Sequence, residues 1–268
     1  VRRGGRAAGR LVLFAAALLL ASAARADDAT VSSPKIRSKS SATAPADSTL
    51  QPDTDVIDAP TSAVLDYGGY SSRSRFYSQG GLLEYVSFGV YPSVNIGASA
   101  AVDGLIGNEK EVRVRAPAAQ IRWRFYDGSE TFPSLAIGYD GQGYLYSQAN
   151  HWFNERQRGA YLVASKEIGV PGLQLHPSFN VSDFNSNDIF GSLPLTYNFR
   201  DKVELLAEWD NIGDKASNSR VDLGLRAFIT PAFQVDFAVR SVGVGGYYSD
   251  GQPRGPERIV QLKYTGNF

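Results

Sequence analysis

Past residue 56 the chain is a series of short stretches in which apolar and polar residues alternate, separated by Gly, Pro, Asn and Asp. The last three stretches are the plainest. Val221, Leu223, Leu225, Ala227 and Ile229 alternate with Asp222, Gly224, Arg226 and Phe228. Phe233, Val235, Phe237 and Val239 alternate with Gln234, Asp236, Ala238 and Arg240. Val260, Leu262 and Tyr264 alternate with Gln261, Lys263 and Thr265. Successive side chains of a strand point to opposite faces, so each stretch predicts a strand with one apolar face and one polar, mostly charged face. Extended upstream, the pattern predicts twelve strands: 67–78, 81–91, 93–103, 112–126, 132–144, 156–168, 172–182, 189–200, 203–211, 219–229, 233–243 and 258–268.

The joints alternate in length. Short ones fall at Pro92-Ser93, Asp127 to Thr131, Val170 to Gly172, Arg200 to Lys202 and Thr230 to Ala232. Longer ones fall at Asp103 to Glu111, Leu145 to Glu155, Asp183 to Asp188, Ile212 to Asn218 and Val244 to Glu257. Short periplasmic turns and longer external loops give this rhythm in outer-membrane barrels. The fold class expected is all-β: a closed antiparallel transmembrane β-barrel of about 12 strands, preceded by a signal peptide and a disordered linker. Closure leaves no open edge and pairs every backbone group in hydrocarbon. An even count returns both chain ends to one side, expected to be the periplasm. A soluble sandwich with its apolar faces inward is the alternative.

Within such a barrel the charged positions face the lumen. Arg122, Arg124, Glu204, Glu208, Asp210, Asp222, Arg226, Asp236, Arg240 and Lys263 form the expected lumen set. Pairing across a small lumen makes them structural; left free, they make a constriction that selects solutes. Tyr91, Tyr126, Phe132, Tyr197, Phe199, Trp209, Phe233, Tyr264 and Phe268 fall near strand ends, where interfacial girdles sit. The terminal strand, with Val260, Leu262, Tyr264 and a final Phe268, resembles the signal read by the outer-membrane assembly machinery; Gly266 interrupts its alternation.

The first 26 residues read as a secretory signal. Arg2, Arg3, Arg6 and Arg10 precede the apolar run Leu11 to Leu20, and Ala24-Arg25-Ala26 offers a cleavage site. The run is too short to span a bilayer. Residues 27–56, rich in Ser, Thr, Ala, Pro and Asp, are expected to be a disordered periplasmic linker, and 57–268 the barrel. Removal of the signal takes five arginines from a chain with 27 basic and 27 acidic residues, leaving a net charge of −5. Nucleic acid is therefore not an expected partner; outer-membrane lipid, lipopolysaccharide and the assembly machinery are. The absence of cysteine excludes disulfides, thiolate metal sites and a cysteine nucleophile. No metal or cofactor motif is present. Of the two histidines, His176 shares a strand face with Gln174, Ser178 and Asn180. Side chains two apart on one strand run parallel and no hydrolase motif surrounds them, so an ordinary lumen lining is expected and catalysis is not. His151 lies with Trp152 and Phe153 in an external joint, expected to fold over the mouth.

Val56 to Tyr70 (VIDAPTSAVLDYGGY) resembles the barrel opening of the bacterial YjbH-like outer-membrane family. Leu105 to Asn108, Ala136 to Tyr144 and Ala207 to Asn211 are similar to further segments of that group. The resemblance implies a barrel over residues 56–268 and a link with exopolysaccharide production. The functions expected are a narrow channel or an export-associated component for an envelope polysaccharide. A structural or adhesion-type barrel with a plugged lumen is the alternative, and an outer-membrane hydrolase a remote one.

Overall fold

The computed structural model describes residues 50–78, 80–107, 112–147, 152–155, 157–181, 189–213, 219–248 and 250–268. The expected signal sequence, most of the expected linker, His151 and the joint Asp183 to Asp188 lie outside the described residues. In chain order the strands are β1 (Gly69–Tyr77), β2 (Gly81–Tyr91), β3 (Val94–Asp103), β4 (Arg113–Val114), β5 (Ala118–Tyr126), β6 (Ser134–Asp140), β7 (Tyr144–Ser147), β8 (Trp152–Glu155), β9 (Gly159–Glu167), β10 (Leu173–Leu175), β11 (Ser178–Val181), β12 (Phe190–Phe199), β13 (Val203–Ile212), β14 (Arg220–Phe228), β15 (Phe233–Val242) and β16 (Glu257–Asn267). β10 and β11 are one stave broken at His176-Pro177, where Pro177 has no N–H to give. Counted so, twelve staves run antiparallel around a cylinder, and β16 pairs with β1 to close it, Tyr264 lying opposite Ser72.

Two of the expected strands are shorter or broken for the same kind of reason. The stretch 112–126 splits into β4 and β5 around Arg115-Ala116-Pro117, and 132–144 ends at Asp140, before two glycines. β7 and β8 form a separate hairpin within the long joint between β6 and β9. The five short joints all lie at one end of the cylinder. Arg200 and Asp201 both take left-handed φ values, 55° and 54°, the geometry of a two-residue hairpin turn matched to strand twist.

The outer face is apolar. Leu223 is 47% exposed and Phe237 53%, with Ile96, Ile121, Trp123, Leu162, Leu205 and Val260 beside them in the same belt. The charged faces of the same strands are turned inward and buried. A soluble sandwich would have the reverse. Most staves are nine to eleven residues long, the length a tilted strand needs to cross the hydrocarbon layer. Among the described residues no helix is long and apolar enough to cross a membrane; the crossing is made by strands. Tyr91, Tyr126, Phe132, Phe199 and Phe268 are exposed at the short-turn end and Trp209 near the other. The terminal strand keeps its outward aromatics despite Gly266. Tyr70 of β1 lies opposite that glycine and covers it, and its ring packs at a tilt against Phe268, centroids 4.9 Å apart. On β1 and β2 the belt is interrupted: outward Glu84 accepts hydrogen bonds from Ser72 (2.6 Å) and Ser74 (2.5 Å).

The expected linker boundary at residue 56 needs correction. Residues 50–66 form neither a disordered tether nor a stave; they run inside the barrel. Val56, Ile57, Ala59, Val64 and Leu65 are all buried there. The reason is complementarity with the wall, described below. The segment leaves the lumen past Asp66, whose carbonyl presses on Gly89 of β2. A Cβ on Gly89 would stand 2.0 Å from that oxygen. Gly89→Ala is therefore expected to push this leg off the wall, seen as faster thermolysin cleavage within residues 61–66 of an otherwise intact barrel.

Candidate functional site

The candidate site is the lumen together with residues 50–66, which fill it as a hairpin plug. Val56 N–H donates to the Ala59 carbonyl (2.9 Å), Thr61 N–H donates to the Thr54 carbonyl (2.9 Å), and Asp55 bridges Pro60. The apex is thus Val56 to Ala59. Both legs lie at the short-turn end. Asp53 meets Gln234 and Lys263 there, and Ser62 meets Ser134 and Ser165. The apex points toward the long-loop end.

Three kinds of contact seat the plug. Val56 and Ile57 pack on inward apolar residues Leu83, Leu206, Ala238 and Ile259. The Glu208 carboxylate accepts the backbone N–H groups of Ile57 (2.6 Å), Asp58 (3.0 Å) and Ala59 (2.9 Å), so the turn acts as a nest of donors around an anion. Finally, three plug aspartates meet wall cations. Asp53 pairs with Arg226 (3.0 Å) and Lys263 (2.9 Å). Asp55 pairs with Arg73 and Arg122, each at 3.0 Å. Asp58 receives Arg75 (2.5 Å), Arg220 (2.7 Å) and Arg240 (2.7 Å). Each of these three aspartates, removed from water, finds an opposite charge, which is the condition for burying it.

The ten lumen charges expected from sequence all stand on inward positions, and nine join this network. Arg226 links Asp236, Glu204 and Asp53. Asp210 takes Arg158 and Arg220, Asp222 takes Arg220 and the Ser241 N–H, and Arg240 takes Glu257. Arg124 instead pairs with Asp127 at the short-turn rim. The members that the sequence reading missed are Arg73, Arg75, Arg158, Arg220, Glu257 and the plug aspartates. Arg73 and Arg75, two apart, carried the signal of a shared strand face. Arg75, Arg226, Arg240, Glu208, Asp210 and Asp222 are each at most 1% exposed. In an open aqueous channel such side chains would be wet; here the plug seals them. Beside it remains a polar cavity of about 80 Å³ toward the long loops, lined by Tyr85, Tyr144, Glu155, Arg158 and Tyr248 among others.

The β7–β8 hairpin covers that cavity. Tyr144 Oη accepts from Arg75 (2.6 Å), and Glu155 accepts from Arg220 (2.7 Å), Arg240 and Tyr248 (2.8 Å). Burial pushes the Glu155 carboxyl up, but Arg240 and Arg220 outweigh it and hold the group below the usual glutamate range. The latch is thus fully present above the unfolded value of about 4.3 and is lost as pH falls through the lower folded value. Protection of the β7 and β8 amides against exchange is expected to hold at pH 5 and to fall only as the pH drops below the usual glutamate range.

His176 does not meet Ser178. Its Nδ1 lies 2.8 Å from Ser165 Oγ, while Ser178 bonds Ser192 at 2.5 Å. Ser165 Oγ also accepts the Ser62 N–H, so the pair lies under the plug. Among the described residues no group of three His, Cys, Asp or Glu side chains is placed to hold a metal.

No protein-family model matches the chain, and no curated protein does. Solved structures do. The KdgM porin is similar over 73% of this chain and 98% of its own, at 10% identity and TM-score 0.44. The NanC porin covers 74% and 99%, at 9% identity and TM-score 0.39. Mutants of a porin from Rh. blastica match over 69% of this chain at 12% identity and TM-score 0.34; the chain spans 55% of that porin's length. At such values no residue of those porins maps onto this one, and the reading of the lumen stands on its own geometry.

Proposed function

We propose that the protein is a channel of the bacterial outer membrane, held closed by its own N-terminal plug, with the short-turn end and both chain ends in the periplasm. The single observation that carries this is the seating of the plug. It enters and leaves by the same end and is held by ion pairs and hydrogen bonds, so withdrawal needs no break in the wall. A barrel that used the segment only as filler would not need both legs at one mouth. Outer-membrane lipid and lipopolysaccharide suit the apolar belt, and the assembly machinery suits the terminal strand with Tyr264 and Phe268. The likeness of Val56 to Tyr70 and the other segments to YjbH-like barrels adds an envelope polysaccharide as a candidate cargo.

A second reading, a permanently closed structural barrel, is favoured by the pairing of nine of the ten expected lumen charges with partners in the wall and plug. Planar-bilayer recording separates the two. The mature chain is expected to be mostly silent, and the variant Asp53→Asn, Asp55→Asn, Asp58→Asn to show frequent openings. Equal silence in both favours the structural reading.

A further inference from the structure

We propose that the arc of wall formed by β1 and β5 is a carboxylate-binding path which the plug occupies in the closed state, and that carboxylate-bearing solutes take its place when the plug is out. The inference rests on the channel reading and names the class of solute that its lumen recognises.

The cations of the lumen fall into two groups. Arg220, Arg226 and Arg240 have carboxylate partners on the wall itself: Asp210 and Asp222, Glu204 and Asp236, and Glu257. Withdrawal of the plug leaves that side of the barrel largely self-neutralised. Arg73, Arg75 and Arg122 differ, as does Lys263 on β16 opposite Arg73, whose carboxylate partner is Asp53 of the plug. Among the described residues their carboxylate partners are all on the plug: Asp55 for Arg73 and Arg122, Asp58 for Arg75. The inward residues Leu83, Tyr85, Asn95 and Ser99, on the strands between them, carry no charge. Asp140 of β6 accepts from Gln120 and from the Gln142 N–H instead.

The three guanidiniums are also held in place without the plug. The Tyr85 ring lies 3.9 Å from Arg73, Gln261 accepts from Arg75 Nε (3.0 Å), and Tyr161 Oη accepts from Arg122 Nε (2.8 Å). With the plug seated their side chains are only 10%, 1% and 11% exposed. Guanidiniums so oriented present a planar fork of donors that matches a carboxylate better than a halide. Asp55 and Asp58 show where those carboxylates sit.

The test uses a synthetic peptide of residues 50–66 carrying a fluorophore, and a chain from which residues 50–66 are deleted. Fluorescence anisotropy in detergent reads binding whether or not the barrel conducts. The native peptide is expected to bind at least about tenfold more tightly than a peptide with Asp55→Asn and Asp58→Asn. Hexaglutamate is expected to compete for the site, and Arg73→Ser, Arg75→Ser, Arg122→Ser in the barrel to abolish the difference. Should the deleted barrel not fold, the full chain carrying Asp55→Asn and Asp58→Asn serves: hexaglutamate should raise its thermal midpoint more than KCl of equal ionic strength. Equal binding of both peptides, or equal effects of hexaglutamate and salt, overturns the carboxylate path. Tight, carboxylate-dependent binding by a barrel that never conducts upholds the path and removes the channel reading.

Discussion

Deletion of residues 50–66 is expected to convert a nearly silent barrel into one that conducts steadily, with current at fixed voltage rising by about an order of magnitude or more. The plug fills the lumen section between β1–β5 and β13–β16. β7 and β8 cover the long-loop mouth, but their anchors Tyr144 and Glu155 leave a polar cavity beneath them. With the plug gone, Glu208 loses the three N–H groups it accepts and faces water. So do the cations around Asp53, Asp55 and Asp58. Hydration replaces the lost pairs, which is why the deleted barrel is expected to fold. Leaving the plug in and removing its charges is the milder change, since Val56 and Ile57 still pack on Leu83 and Leu206. A deletion variant as silent as the intact chain, with its strands correctly paired, contradicts this.

Arg226→Leu is the substitution expected to cost most in stability. The guanidinium is 1% exposed and meets Asp236, Glu204 and Asp53, as well as the carbonyls of Asp55 and Val56. Leucine keeps the bulk of the stem but leaves the buried carboxylates of Glu204 and Asp236 without a cation, and Asp53 with Lys263 alone. Breaking a buried pair from one side costs about 3–5 kcal/mol, because the remaining charge is uncompensated. The urea midpoint of the barrel should fall accordingly, and the plug should loosen with it. Arg226→Lys should lie between, since one ammonium cannot span the same set of acceptors. A midpoint unchanged in Arg226→Leu would mean that water already reaches these carboxylates.

The barrel was legible because its physics is local. Alternation in Val221 to Ile229, Phe233 to Val239 and Val260 to Thr265 reports which face meets hydrocarbon, and short joints such as Arg200 to Lys202 carry their own turn geometry. The strand breaks were less legible, since a single proline, Pro117 or Pro177, interrupts a stretch whose pattern otherwise continues. The plug was illegible for a different reason. Asp53, Asp55 and Asp58 sit in a Ser-, Pro- and Asp-rich stretch that cannot order itself. What orders it is a set of partners far away in sequence, up to 210 residues in the pair Asp53–Lys263. Composition describes the segment's own free energy and says nothing of a lumen built to receive it. The same holds for the lumen charges. Their inward direction followed from alternation, but their partners depend on how the cylinder closes around the plug.

The chain's lack of cysteine allows the central claim to be tested with single reporters. Ala59, at the plug apex, is 0% exposed, and Tyr67, just outside the lumen, is 72% exposed. In the folded protein a membrane-impermeant maleimide should label Tyr67→Cys within minutes and leave Ala59→Cys unlabelled until urea is added. Labelling of Ala59→Cys at the rate of Tyr67→Cys would show that the lumen is not occupied by this segment.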